Sequence, residues 1–175
     1  TVEIKGIARE AGSRTKIAVY SHDDNVDPVG ACVGNRGIRV QNIVDELFGE
    51  KIDIIVWDED PAVLISNVLK PAEVEGVYIN YVSEKEKMAT AVVPEQQLSL
   101  AIGREGQNVR LAARVSGWKI DIKSKSQLED SGFDFDEYED QDEPRVEVLI
   151  DEGVPAEALL EQEDDEVDNE IEEEA

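Results

Sequence analysis

One order of elements, written twice within the first 125 residues, most constrains what this chain can fold into. Two alternating apolar runs, a short helical segment, the pattern Gly-x-x-Gly, a longer helical segment and a β-branched strand follow one another. Gly34-Asn35-Arg36-Gly37 is the first copy of the glycine pattern and Gly103-Arg104-Glu105-Gly106 the second. Each leads to the same tetrapeptide: Lys51-Ile52-Asp53-Ile54 begins 14 residues after Gly37, and Lys119-Ile120-Asp121-Ile122 begins 13 after Gly106. At ordinary glycine content such a pattern arises about once by chance, so the bare count carries little. Its recurrence at one point of one element order carries much more, and the chain reads as a tandem repeat of a small α+β domain.

The periodicities place the parts. Val2 to Ile7 and Lys16 to Tyr20 read as half-buried strands. Asp27 and Pro28 open a short helix that ends at Gly34. Val40, Ile43, Val44 and Leu47 recur at helical spacing, and Gly49 suits the helix end. In the second copy, Asp60 and Pro61 open an additional helix running to Leu69. Val74 to Val82 and Lys87 to Val93 read as strands. Pro94 opens a helix with Leu98, Ala101 and Ile102 on its apolar face, and Gln107 to Ser116 is the longer helix, closed by Gly117. The expected division is a first domain over 1–58, a second over 59–125 and a tail over 126–175. The opening helix of the second copy has no counterpart in the first, and the chain is expected to begin just after one.

The formal net charge of −25 argues against nucleic acid until it is divided. Residues 1–125 carry 16 basic and 19 acidic residues, a net of −3, whereas 126–175 carry 1 and 23, a net of −22. The repulsive charge lies in the tail, and the basic residues of the near-neutral body are free to cluster on one face. The tracts 126–143 and 161–175 are acidic and of low complexity, and are expected to be disordered. Val146 to Ile150 and Val154 to Leu160 lie between them as apolar islands, read as loosely ordered chain or a short docking helix. The tail reads first as a solvated extension. The sharper alternatives are an occupant of the nucleic-acid groove acting as a phosphate mimic, or a docking segment. Cys32 is the single cysteine, which excludes an internal disulfide and suits a reducing, intracellular setting. The sequence has no apolar run long enough to cross a bilayer and no signal-peptide pattern, so no membrane partner is expected.

The chemistry of the loops explains their glycines. Glycine permits positive φ and removes the side chain that would block a phosphodiester. The helix that follows directs its free N–H groups and positive end at a phosphate placed there. The candidate contacts are Gly34, Asn35, Arg36, Gly37 and Arg39 at the first loop. At the second they are Gly103, Arg104, Glu105, Gly106, Asn108, Arg110 and Arg114. Val33 and Ile102 are placed to floor a groove on which bases rest. Glu105 is discordant, since a carboxylate repels phosphate, and the second loop is expected to bind more weakly. A single loop would read as a plain helical corner with surface arginines; the duplicated pattern favours nucleic acid.

Catalysis finds no such support. His22, the only histidine, reads as a solvated turn residue and Cys32 as a packed one. No zinc set, calcium loop or G-x-x-x-x-G-K-S/T phosphate loop is present. No catalytic residue, metal or cofactor is expected. A protein-interaction scaffold is a further reading, with Trp57, Tyr78 and Tyr81 as candidate contacts, although at strand spacing such residues more often pack internally.

The two repeats resemble KH domains of the prokaryotic type (type II), in which the strand pair precedes the helix–loop–helix and a helix opens each domain. AREAGSRTKIAVYS (Ala8 to Ser21), VDPVGACVGNRG (Val26 to Gly37), QNIVDELFGEKIDII (Gln41 to Ile55) and LSLAIGREGQNVRLAARVSGWKIDIKS (Leu98 to Ser124) resemble the tandem KH region of the NusA family of bacterial transcription termination/antitermination factors. The resemblance implies a cytoplasmic bacterial elongation factor, not an enzyme. It implies binding of single-stranded nascent RNA and modulation of RNA polymerase pausing, termination and antitermination. The polymerase would be engaged mainly through domains absent from this chain, with other transcription factors as further candidate partners. Asn35-Arg36 and Arg104-Glu105 depart from the Lys-rich loops common in the family, which bears on affinity, and no role for the acidic tail carries over. The KH module of an RNA-processing enzyme or ribosome-associated protein is the alternative, its catalytic domain lying outside this chain.

Overall fold

The computed structural model describes residues 1–83, 85–133 and 146–147. β1 (Val2–Glu10) and β2 (Arg14–Ser21) form an antiparallel hairpin, and β3 (Lys51–Val56) lies parallel to β2. A parallel neighbour requires a crossover. It is supplied by α1 (Pro28–Val33), the first glycine loop and α2 (Ile38–Glu46). The Asp27 carboxylate accepts the Val29 N–H at 3.1 Å, which fixes where α1 starts.

The second repeat adds α3 (Pro61–Val68) and then repeats the plan. β4 (Gly76–Ser83) and β5 (Glu86–Val92) are antiparallel. α4 (Leu98–Ile102), the second loop and α5 (Gln107–Ser116) cross over to β6 (Lys119–Lys123), parallel to β5. Asp60 caps α3 through the Ala62 N–H at 2.9 Å. Gly117, in the left-handed region at φ 78°, closes α5 and donates to the Ala113 carbonyl.

The repeats share one core. α5 packs between its own β6 and the β1–β2 hairpin of the first repeat. Ala8, Ala18 and Ile55 of the first repeat join Ile65, Val68, Val77, Leu111, Ala112 and Trp118 of the second in one apolar cluster. The approach is close at Gly6, where a Cβ would stand 2.9 Å from the Val115 carbonyl oxygen. Within this interface Lys16 is 0% exposed. Its Nζ donates to Asp53 at 2.9 Å and to the Lys70 carbonyl at 2.7 Å, while Arg14 donates twice to Asp53 at 2.9 and 3.0 Å. Burial pushes the Lys16 ammonium below its ordinary pKa, against the pull of Asp53. Burial also opposes the charge on Asp53, but hydrogen bonds from Arg14 and the nearby Lys16 outweigh it and hold the carboxyl low. Glu50 is also buried. It accepts from Arg9, Thr15 and the Gly12 N–H, which lowers its pKa to about 2 and ties the β1–β2 turn to the start of β3.

Two expectations need correction. The apolar face of α2 is only partly covered: neither α1 nor α2 has a buried residue, and Ile38 and Ile43 are exposed. The reason is visible in the second repeat, where α5 is covered by the β1–β2 hairpin of the first repeat and by α3. Among the described residues the first repeat has no counterpart of α3. The chain also stays ordered past residue 126. α6 (Lys125–Asp130) starts at a capping box made by Ser124 and Gln127. Leu128 packs with Tyr78 and Val92 on the sheet face opposite the main core, and Phe133 meets Tyr78 edge-on at 5.2 Å. β7 (Val146–Glu147) pairs antiparallel with β4. The rest of the tail, including the islands 148–150 and 154–160, lies outside the described residues, as does the Tyr81 side chain. Trp57 packs edge-on to Tyr20 at 5.6 Å, with the Lys5 ammonium 4.9 Å from its ring centre.

Candidate nucleic-acid interface

The two glycine loops have the same backbone. Gly34 and Gly103 take φ/ψ of 84/174° and 83/170°. Arg36 and Glu105 take 56/26° and 55/28°. Gly37 and Gly106 take 75/11° and 77/13°. In each loop the second glycine donates to the carbonyl of the first at 3.1 Å.

The two glycines of a loop are needed for different reasons. A Cβ on Gly34 would lie 2.6 Å from the Arg39 Cβ, and one on Gly103 would lie 2.6 Å from the Asn108 N. The first glycine therefore lets the following helix approach. At the second glycine the nearest atoms to a Cβ would be Val33 Cγ1 at 4.0 Å, or Arg110 Nη1 at 3.6 Å. That side is open. Among the described residues no side chain caps α2 or α5; the Ile38 and Gln107 N–H groups turn back to the Asn35 and Arg104 carbonyls, and the positive end of each helix lies at the second glycine.

Around this backbone the predicted residues divide into four groups. Asn35, Arg36, Arg104 and Glu105 are exposed, and Arg36 and Arg104 form no ion pair among the described residues. Arg39 is exposed but folds back to donate to the Ala31 carbonyl. Arg110 and Arg114 are held by the first repeat. Arg110 donates to both oxygens of Glu10, at 2.5 and 3.0 Å, and to the Glu105 carbonyl at 2.9 Å, while Arg114 lies 4.0 Å from Glu10. The hydrogen bonds from Arg110, then Gln107, take the Glu10 carboxyl down to about 2. Asn108 is 3% exposed, and its amide donates to the Leu69 and Ala101 carbonyls at 3.0 and 2.9 Å. It fixes the α4–α5 corner from inside, while its Oδ1 is buried without a hydrogen-bond partner among the described residues. Val33 is half-buried and Ile102 exposed beside their loops.

Sequence reasoning missed the contribution of the first repeat to the second loop. Glu10 and Ser13 stand about a hundred residues from Arg110 and Gln107, which they contact, and no local pattern links them. His22 bonds Glu3 at 2.7 Å, and Cys32 is half-buried.

Residues 1–57 match the NusA-like first KH domain and residues 61–130 the NusA-like second KH domain. The chain belongs to the NusA-like tandem KH family. It is 55% identical over 144 residues to the transcription termination/antitermination protein NusA of Bacillus subtilis, covering 82% of this chain and 38% of that protein. The like-named protein of Halalkalibacterium halodurans is 56% identical over 137 residues, covering 78% and 35%. That of Mycobacterium tuberculosis is 54% identical over 123 residues, covering 70% and 35%. The chain thus spans little more than a third of the length of these curated relatives. The second KH match runs to residue 130 and so takes in α6. No helix among the described residues is long and apolar enough to cross a membrane.

Proposed function

We propose that this chain is the single-stranded RNA-binding part of a bacterial transcription elongation factor, a cytoplasmic protein without catalytic activity of its own. It modulates pausing, termination and antitermination by holding nascent RNA. The observation that carries this is the pair of loops with matching dihedral angles, each presenting an open second glycine at a helix N-terminus that no side chain caps. A phosphate seated at Gly37 or Gly106 meets backbone N–H groups, with Arg36 or Arg104 alongside. The bases rest towards Val33 or Ile102, with edges exposed as only a single strand allows. At the second loop Arg110 stands beside Glu105 and Gly106, but its charge is shared with Glu10, so the Glu105 carboxylate still weakens that loop; Arg114 and Arg39 add positive charge at longer range. The names of the relatives support the role in transcription, and polymerase contact is assigned mainly to the parts of those proteins beyond this chain's span.

The test is a titration of the intact chain with single-stranded RNA and with a duplex of the same sequence at several salt concentrations. The expected result is preference for the single strand. Its log affinity should fall linearly with log salt, by about 0.7 per phosphate held. Absence of single-strand binding at low salt would overturn the proposal.

A further inference from the structure

We propose that the cleft between the two repeats is a third phosphate site, which holds the RNA backbone where the strand passes from the first repeat to the second. It rests on the RNA-binding function above and adds a contact outside both glycine loops.

The cleft has a volume of about 370 Å³, at the small end of ligand-sized cavities. One wall comes from the first repeat: Ser13 and Arg14 at the hairpin turn, and Lys51 at the start of β3. The other comes from the second loop and the first turn of α5: Gly103, Arg104 and Gln107. No carboxylate is among its lining residues, in a chain of net charge −25. Arg14 is satisfied by Asp53. Lys51 and Arg104 have no ion-pair partner among the described residues, and both are exposed. Two unpaired cations lining one concave surface focus positive potential into it. The walls are fixed relative to each other. Gln107 Nε2 donates to Ser13 Oγ at 2.7 Å and to Glu10 at 3.1 Å, and the Lys51 N–H donates to the Ser13 carbonyl at 3.1 Å. The backbone that carries each charge is therefore held at the cleft, and the two side chains are free to close on an anion that enters it.

The ligand is a phosphodiester because of where the cleft lies. Gly103 and Arg104 belong both to its wall and to the second glycine loop, so a strand clamped at that loop continues directly into it. The sequence repeat supplies an internal control. Lys119 is the counterpart of Lys51 in the second Lys-Ile-Asp-Ile strand, is exposed, and does not line the cleft.

The experiment compares the wild type, Lys51→Gln, Lys119→Gln, Gly37→Asp and Gly106→Asp, each checked for folding. The ligands are single-stranded RNAs of about four nucleotides, the length one KH clamp holds, and about twelve, which reaches both. Lys51→Gln is expected to weaken the longer RNA about five- to tenfold and to reduce the salt slope by about one phosphate contact. It should leave the four-nucleotide RNA within about twofold, and Lys119→Gln should match the wild type. Unchanged binding of the longer RNA by Lys51→Gln overturns the third site, as does equal weakening of both lengths. If the two glycine variants also bind like the wild type, the failure lies with the RNA-binding function itself.

Discussion

In the first repeat Asp53 faces Lys16 across the β2–β3 ladder and is closed over by the second repeat. In the second repeat the same strand motif places Asp121 opposite Thr90, with its side chain 62% exposed and Lys123 as its ion-pair partner at 3.6 Å. The two aspartates occupy one position of one plan and meet opposite environments, because the second repeat docks on the first repeat's sheet. The same asymmetry places Lys51 in a cleft and leaves Lys119 outside it, and lets Glu10 reach Arg110. A duplicated unit need not carry duplicate sites: the interface between the copies redistributes their charges.

The sharpest way to break this comparison is to substitute the matched ladder positions. Lys16→Met strands the largely buried Asp53 with Arg14 alone and leaves the Lys70 carbonyl without its donor. Because Arg14 still pairs with Asp53, a loss of about 1–3 kcal/mol is expected in urea unfolding, mostly from the lost bond to the Lys70 carbonyl. Thr90→Val should cost less than about 1 kcal/mol. Equal losses would mean that the interface does not distinguish the two repeats.

The first glycines of the loops come next. Gly103→Ala combines a backbone conformation hostile to a side chain with a collision against buried, doubly bonded Asn108, and should cost about 3 kcal/mol. Gly34→Ala meets the Arg39 Cβ and backbone N just as closely, but α2 has no buried residue to hold it and can shift as a whole, so the loss should be smaller. The reverse order in thermal or urea unfolding would refute the roles given to Asn108 and α2.

Acid gives the smallest effect. The carboxyl of Glu10 is held at about 2 against an ordinary 4.5. Its stabilisation is therefore complete above pH 4.5 and is lost as pH falls through about 2. Glu10→Gln should flatten the stability profile across this window by about one proton's share while leaving the contribution of Glu50. An unchanged profile would show that the inter-repeat pair with Arg110 does not persist in solution.

Much of the fold was legible in the sequence because it is written locally. Asp27-Pro28 and Asp60-Pro61 mark helix starts, Gly117 marks an end, and the glycine loops fall where predicted. What was not legible depends on pairing across long separations. Arg9 and Glu50 are 41 residues apart, and Glu10 and Arg110 are 100 apart. Asn108 looked like a surface contact at the start of a helix, yet it stands at the position Arg39 occupies in the first repeat and turns inward. Ser124-x-x-Gln127 forms the capping box that starts α6, within a stretch whose acidic composition pointed to disorder. The partial exposure of α2 could not be read from its periodicity, which specifies an apolar face but not what covers it.

The loops themselves are tested most directly by Gly37→Asp and Gly106→Asp, with Gly37→Asn and Gly106→Asn as controls that tolerate positive φ without adding charge. If both loops clamp RNA, each aspartate puts a carboxylate where a phosphate sits. Gly37→Asp should then weaken single-stranded RNA by about tenfold or more, roughly 1.4 kcal/mol. Gly106→Asp should weaken it by less, because Glu105 already handicaps that loop, and the asparagine variants should stay much nearer the wild type. Folded aspartate variants that bind RNA as tightly as the wild type would contradict the assignment of these loops.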